Sequence, residues 1–194
     1  MIASDKRPFR LAVIGGGFSG SVLALKALRD IPSAEVTIIE RSAKLGRGLA
    51  YGACAPFHLL NVPVSRIEVG LVPSFESWIA ACGADLSPAL AESDGDLASA
   101  FVERSLFGGY LQEQIQAALR TSARLKVLHA TAVRLEAGKA VILDDGRRLD
   151  TDAVVLATGN LPPRPLKLGD LSEGTTLVSD PWSPGALDSL ESMS

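Results

Sequence analysis

The stretch Phe9-Arg10-Leu11-Ala12-Val13-Ile14-Gly15-Gly16-Gly17-Phe18-Ser19-Gly20 decides the fold of this 194-residue chain. Its first half is mostly apolar and ends in a glycine turn, which predicts a buried parallel strand. Residues 18–30 then carry apolar side chains at helical spacing, and Pro32 ends the helix. Residues 35–40, Glu-Val-Thr-Ile-Ile-Glu, predict a second strand. A strand, a glycine turn, a helix and a strand in about thirty residues form a βαβ unit, which predicts an α/β fold with a parallel sheet.

The glycines of this stretch match the pattern G-x-G-x-x-G. Gly15 permits the tight turn out of the strand, Gly17 lets a pyrophosphate approach the backbone, and Gly20 lets the helix pack on the strand. The backbone N–H groups of Phe18 and Ser19, at the positive end of the helix dipole, suit a phosphate. The pattern alone is also typical of a turn that binds no ligand, but its position between a strand and a helix favours nucleotide binding.

The second strand ends in Glu40, 20 residues after Gly20. A carboxylate at this position accepts hydrogen bonds from both ribose hydroxyls and disfavours a 2′-phosphate. The following loop contains Arg41 and the run Gly46-Arg47-Gly48. We expect this loop to fold back over the pyrophosphate, with a solvated basic turn as the alternative.

The sequence predicts an insertion of loops and helices over about residues 41–121. Glycines and prolines keep 41–73 irregular, Ser74 caps a helix over 75–82, and 83–96 predict a loop. The helix that follows has an apolar face. That face consists of Leu111, Ile115, Ala118 and Leu119.

From Leu125 the apolar period changes to two, which predicts a β-meander with a hairpin turn at Asp144-Asp145-Gly146. Residues 152–159 then form an apolar strand that ends in Ala157-Thr158-Gly159. Because ligands of open α/β sheets bind at the carboxyl ends of the strands, these three residues are predicted to face the glycine turn. The predicted meander strands are 125–129, 131–136, 140–143 and 147–149.

Composition excludes several classes of function. Nineteen basic and 22 acidic residues give a net charge of −3, which weakens a role in nucleic-acid binding. Two cysteines are too few for a disulfide framework. Two cysteines and two histidines also provide few metal ligands, so no metal site is expected. The uncharged run over 11–25 is shorter than the ~20 residues of a membrane span, so no membrane partner is expected. Reduced cysteines predict a cytoplasmic protein.

These motifs together resemble the FAD-binding domain of two-dinucleotide flavoproteins of the glutathione-reductase type. More narrowly, Gly46-Arg47-Gly48-Leu49-Ala50-Tyr51-Gly52 and His58-Leu59-Leu60-Asn61-Val62-Pro63 resemble bacterial FAD/NAD(P)-binding oxidoreductases related to N-hydroxylating flavin monooxygenases. Phe75-Glu76-Ser77-Trp78 and Arg104-Ser105-Leu106-Phe107-Gly108-Gly109-Tyr110 support the same resemblance, which covers residue 9 to about residue 190.

The resemblance implies a Rossmann-like domain with a β-meander crossover that binds FAD, with NADPH or NADH as the reductant of a monooxygenase-like enzyme. It places Asn61 near the isoalloxazine and the backbone around Val133 at the adenine, while His58 either lies near the flavin or makes a structural hydrogen bond. The residues predicted to bind the cofactor are Gly15, Gly17, Phe18, Ser19, Gly20, Glu40, Arg41, Gly48, Asn61, Val133, Ala157, Thr158 and Gly159.

Similar proteins have a second glycine pattern for the nicotinamide cofactor after a segment like Asp180-Pro181-Trp182-Ser183-Pro184-Gly185. We therefore expect residues 1–160 to form the FAD-binding domain and residues 161–194 to form a proline-rich linker toward an NAD(P)-binding domain missing from this chain. The chain alone is expected to be inactive, and its small-molecule substrate is not identified. A plain NAD-binding dehydrogenase domain and a non-catalytic nucleotide-binding module remain alternatives; the meander and the Ala-Thr-Gly strand end favour FAD.

Overall fold

The structure is a computed structural model that describes residues 7–52, 54–55, 57–137, 139–161, 164, 177–183 and 186. Strands and helices alternate at the start of the chain, a helical insertion follows, and strands close the fold. The elements are β1 (Phe9–Ile14), α1 (Phe18–Asp30), β2 (Ala34–Ile39), α2 (Gly48–Gly52), α3 (Phe75–Ala81), α4 (Ser87–Ala91), α5 (Arg104–Thr121), β3 (Leu125–Leu128), β4 (Ala132–Glu136), β5 (Ala140–Leu143), β6 (Arg148–Asp150) and β7 (Ala153–Leu156).

A parallel four-stranded sheet in the order β3-β2-β1-β7 forms the centre of the fold. Val13 of β1 lies opposite Ile38 of β2 on one side and Val155 of β7 on the other. Parallel strands end at the same edge, so the residues after β1, β2 and β7 lie side by side. This arrangement confirms the predicted α/β, Rossmann-like fold.

Three of the four predicted meander strands form an antiparallel sheet in the order β4-β5-β6. The first, predicted over 125–129, is instead β3 of the parallel sheet, because it pairs with β2. The strands of the antiparallel sheet begin and end within about two residues of the predicted bounds, and Gly146 adopts φ +82° in the hairpin turn. Thr151 is buried where β6 leads into β7, and its backbone N–H donates to the carbonyl oxygen of Lys139 at 2.7 Å. The meander thereby returns the chain directly to the parallel sheet.

The insertion is more helical than the sequence pattern predicts. Helix α2 and a 3-10 helix over Val64–Arg66 lie in the stretch predicted to be irregular, and α4 lies in the predicted loop 83–96. Helix α4 has only five residues, too few to show a helical period, and its start is marked by Pro88 in the first turn. The predicted cap of α3 is confirmed, because the Ser74 hydroxyl accepts from the Ser77 N–H at 3.2 Å.

Helix α5 joins the insertion to the sheet. Its Ile115 belongs to the apolar core between α1 and the parallel sheet. Its Phe107, Tyr110 and Leu111 belong to a separate core inside the insertion, together with Phe75 of α3. Because α5 contributes side chains to both cores, it fixes the position of the insertion relative to the parallel sheet.

The segment after β7 is described only in part. The predicted linker prolines at 162, 163, 165 and 184 lie outside the described residues, and the domain division at residue 160 stays a prediction. The Trp182 ring lies 6.0 Å from the His58 ring, between centroids, so this segment meets the insertion. None of the described helices is long and apolar enough to cross a membrane.

Candidate nucleotide-binding site

The glycine turn after β1 has no room for side chains at two of its positions. Gly15 adopts φ +106°, and a Cβ there would lie 2.2 Å from the carbonyl oxygen of Ala157. A Cβ at Gly20 would lie 1.9 Å from the carbonyl oxygen of Gly15 and 3.1 Å from Val13 Cγ1. The predicted structural roles of Gly15 and Gly20 are therefore confirmed.

The loop after β2 folds back over this turn, as the sequence predicts. The Gly46 N–H donates to the Gly16 carbonyl oxygen at 2.8 Å. A Cβ at Gly17 would lie 3.3 Å from Gly48 Cα, so the two backbones are in close contact. Arg41 is exposed, whereas Arg47 is half-buried and its Nε donates to Gln112 Oε1 at 2.9 Å. The loop is thus docked against α5 and is not a freely solvated basic turn.

The first turn of α1 supplies backbone donors. Gly17 is the N-cap and makes no side-chain capping bond, and no acidic residue lies in the first turn. The first N–H to donate within the helix is that of Ser21, to the Gly17 carbonyl oxygen at 2.9 Å. The N–H groups of Phe18 and Ser19 precede it and have no partner within the helix. Ser21 fixes the turn below them, because its buried hydroxyl donates to the Gly16 carbonyl oxygen at 2.9 Å. Rigid, uncapped donors at a helix N-terminus suit the oxygens of a pyrophosphate.

Glu40 lies at the end of β2 beside the turn. Its Oε2 accepts from the Gly16 N–H at 2.7 Å and its Oε1 accepts from the Ser42 N–H at 2.7 Å. A carboxylate has about four acceptor positions, so two remain for hydroxyl donors. The sequence pattern predicted the ribose role but missed the bond to Gly16, which spans 24 residues and has no local signal.

The Ala157-Thr158-Gly159 strand end reaches the same edge. The Ala157 N–H donates to the Ile14 carbonyl oxygen at 2.8 Å, and a Cβ on Gly15 would lie 3.3 Å from Thr158 N. Gly159 adopts φ +70° just beyond. Three parts of the chain therefore converge at the glycine turn: Glu40, the loop at Gly46 to Gly48, and the strand end after β7.

Two predicted site residues lie in other parts of the described chain. Asn61 is exposed in the loop of the insertion, and Val133 is 60% exposed on β4. Within the described residues no hydrogen bond joins either of them to the glycine turn. Their contacts with a flavin or an adenine stay predictions.

The arrangement fits an adenosine diphosphate group. It pairs backbone N–H donors, suited to the anionic pyrophosphate, with the Glu40 carboxylate, suited to ribose hydroxyls, and the glycine turn leaves the backbone unobstructed. Residues 12–161 match the FAD-NAD(P)-binding family. The chain belongs to this family. The match confirms the predicted resemblance to FAD/NAD(P)-binding proteins, and with it FAD and NAD(P)H as the expected cofactors.

Relatives of this family member include a 3-dehydro-bile acid delta(4,6)-reductase of Clostridium scindens, which is 30% identical over 175 residues. The alignment covers 77% of this chain and 39% of the reductase, so the chain spans about two fifths of the length of the curated relative it matches.

Solved structures share the fold. The lysine monooxygenase NbtG from Nocardia farcinica superposes with a TM-score of 0.53 at 18% identity, over 82% of this chain and 56% of that one. A flavin-containing monooxygenase from Stenotrophomonas maltophilia gives 0.52 at 22% identity, over 79% and 39%.

The remaining polar candidates in this family member have structural roles. His58 Nδ1 accepts from the Ala55 N–H at 3.0 Å, which confirms the predicted structural hydrogen bond. Burial raises the pKa of the Cys54 thiol, whose Sγ donates to the Ala50 carbonyl oxygen at 3.1 Å. A raised pKa lowers the thiolate fraction at neutral pH, so Cys54 is not activated as a nucleophile. Within the described residues no cluster of metal ligands is present.

Proposed function

We propose that this chain is the FAD-binding part of a flavin-dependent oxidoreductase whose flavin is reduced by NADPH or NADH. The observation that carries the proposal is the convergence of the glycine turn, Glu40 and the Ala157 strand end at one edge of the parallel sheet. The meander that leads into this strand end favours FAD over a plain NAD-binding dehydrogenase domain.

The residues of this chain bind and position the cofactor. The N–H groups at the start of α1 hold the pyrophosphate, and Glu40 accepts the ribose hydroxyls while it remains bonded to Gly16. The docked loop at Gly48 restricts the space over the turn. When bound, FAD supplies a ring system that accepts a hydride and passes on electrons.

The motif resemblance supports a monooxygenase-like reaction on a small-molecule substrate. The second candidate is a reductase, which the 30% identical relative named for 3-dehydro-bile acid reduction supports. The two differ in what re-oxidises the reduced flavin. A monooxygenase-like enzyme needs dioxygen, whereas a reductase passes its electrons to an unsaturated substrate without dioxygen.

The test uses the whole protein that contains this chain, loaded with FAD. NADPH or NADH added without oxygen should bleach the flavin absorbance. Re-oxidation by an unsaturated 3-dehydro-bile acid under nitrogen would support the reductase. Failure of that acceptor under nitrogen, together with re-oxidation in air, would support the monooxygenase-like proposal. A protein that binds FAD but is bleached by neither nucleotide would instead be a non-catalytic nucleotide-binding module.

A matched pair of variants locates the cofactor. A Cβ added at Gly17 would lie 3.3 Å from Gly48 Cα. The branched side chain of Gly17→Val therefore blocks the close approach of a pyrophosphate, and the flavin content should fall strongly. Gly52→Ala is the control, because its Cβ would meet only Arg47 Cβ at 3.4 Å. Equal flavin content in the two folded variants would place the phosphate site elsewhere.

A cytoplasmic location is part of this proposal. The free, partly buried thiols of Cys54 and Cys82 and the need for NAD(P)H support it. A fluorescent fusion of the whole protein in its host would test it.

A further inference from the structure

A second pocket lies in the insertion, apart from the glycine turn. Its volume is about 600 Å³, within the range of small-molecule sites. One wall is the start of α4 with Leu86 and Ala89, and the opposite wall is the strand-like segment before α5 with Phe101 and Val102. Leu59 closes one side through its bridge to Glu103.

The mouth of this insertion pocket exposes large apolar side chains. Leu59 is 49% exposed and Phe101 is 46% exposed, although both lie beside the fully packed core that contains Val102 and Phe107. Grouped, exposed apolar side chains around a concavity are typical of a ligand site. The apolar wall of the pocket therefore suits the apolar part of a ligand.

The charged groups that line the insertion pocket are all acidic. They are Asp85, Glu92 and Glu103, and no lysine, arginine or histidine is among its lining residues. The neighbouring Arg104 donates through Nε to the Leu59 carbonyl oxygen at 2.8 Å. None of the three carboxylates forms an ion pair with any residue in the described part of the chain.

The two hydroxyl groups that line the pocket use their protons on backbone carbonyl oxygens, which leaves their own oxygens as acceptors. The Ser93 hydroxyl donates its proton to the Ala89 carbonyl oxygen at 3.0 Å, and the Ser99 hydroxyl donates to the Asp96 carbonyl oxygen at 3.2 Å. Hydrogen bonds from the Ser87 side chain and backbone lower the pKa of the exposed Asp85 carboxyl below its ordinary value. The side chains of the pocket therefore offer hydrogen-bond acceptors and negative charge.

We propose that the insertion pocket binds an amphipathic organic cation, with an apolar body against Leu59, Leu86 and Phe101 and an ammonium group toward Asp85 and Glu92. An ammonium group has three donors and no acceptor, which complements a lining of acceptors. An anion or a neutral alcohol of the same shape does not combine three donors with a positive charge. The proposal concerns binding alone and stands independently of the flavin chemistry.

The test compares three probes of one shape on the full 194-residue chain: 4-phenylbutylamine, 4-phenylbutanol and 4-phenylbutyrate. Calorimetric titration at low salt should show the amine binding at least about tenfold more tightly than the alcohol, because charge-assisted hydrogen bonds are the stronger kind. The acid should bind most weakly. Equal affinities of the three probes, or no binding of the amine, would overturn the proposal.

Variants then place the probe in this pocket. Asp85→Asn with Glu92→Gln should weaken the amine about tenfold and leave the alcohol unchanged, and Phe101→Ala should weaken both. Glu76→Gln with Asp30→Asn removes two exposed carboxylates outside the pocket and serves as the charge-matched control. An equal loss in the control would show that the amine responds to overall charge, which contradicts the proposed site.

Discussion

Glu40 serves the fold and the proposed cofactor with one carboxylate. Its two oxygens accept from the backbone N–H groups of Gly16 and Ser42, so the side chain joins the end of β2 to the glycine turn after β1. The remaining acceptor capacity of these oxygens is available to the hydroxyls of the proposed ribose. A neutral amide presents one acceptor and one donor group, so it cannot keep both backbone bonds.

Glu40→Gln should weaken the binding of ADP and FAD about ten- to a hundredfold. A hydrogen bond to a charged group contributes on the order of 1.5–3 kcal/mol, and the turn also loses a partner. Fluorescence titration with ADP, FAD and FMN measures the effect. FMN lacks the adenosine and should show no such loss, so an equal loss for FMN would remove Glu40 from the ribose site.

Helices α2 and α5 approach each other through a glycine. A Cβ at Gly108 would lie 2.7 Å from the Tyr51 carbonyl oxygen and 3.0 Å from Tyr51 Cβ, whereas a Cβ at Gly109 would lie 3.6 Å from the Trp78 ring. Gly108 and Gly109 are adjacent in one helix, but only Gly108 lacks room for a Cβ.

Gly108→Ala should destabilise the protein by roughly 1–3 kcal/mol, since the backbone of α2 must move. Gly109→Ala meets only an ordinary contact and should stabilise it by up to about 1 kcal/mol through helix propensity. Urea denaturation followed by circular dichroism measures both. Changes of the same sign in the two variants would contradict the close approach of α2 and α5.

Asp152 ties the residues at the start of β1 to β7. Arg7 donates from Nη1 and Nη2 to its two carboxylate oxygens at 2.9 and 2.7 Å, and the Arg10 N–H donates at 2.9 Å. These bonds, first of all those from Arg7, lower the pKa of Asp152 to about 2. Because the pKa is lowered in the folded state, the stabilisation is complete above the ordinary value of 3.8 and disappears as the pH falls toward 2.

Asp152→Asn should therefore lower the urea midpoint at pH 7, and its difference from the wild type should shrink between pH 4 and pH 2. Asp30→Asn is the control, because Asp30 is 56% exposed and, within the described residues, pairs only with the adjacent Arg29. Exposed pairs contribute little. A difference for Asp152→Asn that is constant from pH 7 to pH 2 would contradict the charged role.

At the scale of the whole chain, the residues that converge at the glycine turn are those proposed to bind the diphosphate and the adenosine ribose. We therefore expect most of the binding free energy to come from the ADP half of FAD. At equal saturating concentrations, ADP should raise the thermal midpoint of the 194-residue chain nearly as much as FAD, and FMN should raise it little. Strong stabilisation by FMN would show that the flavin half dominates.

The sequence predicted those parts of the molecule whose signals are local. The strand-turn-helix over 9–30 repeats its apolar pattern within a few residues, and the glycine spacing between strand and helix indicates the tight turn. Helix α4 was missed because five residues carry no period, and the bond from Gly16 to Glu40 was missed because tertiary packing creates it. The pocket of the insertion likewise depends on segments from Leu59 to Leu106 that only the fold brings together.

The insertion leaves the parallel sheet after β2 and returns to it at β3, the very next strand in the sheet. Because β2 and β3 are parallel, the insertion leaves at Ile39 and re-enters at Leu125, which lies opposite Val36, so both of its ends are fixed by one pair of adjacent strands. Closing a longer or shorter loop between fixed ends changes its entropy only slowly with length. The residues between α2 and α5 can thus be exchanged, lengthened or shortened during evolution, while Glu40 and the loop at Gly48 keep their contacts with the glycine turn. Such an architecture lets one cofactor platform acquire new ligand preferences by varying a single internal segment.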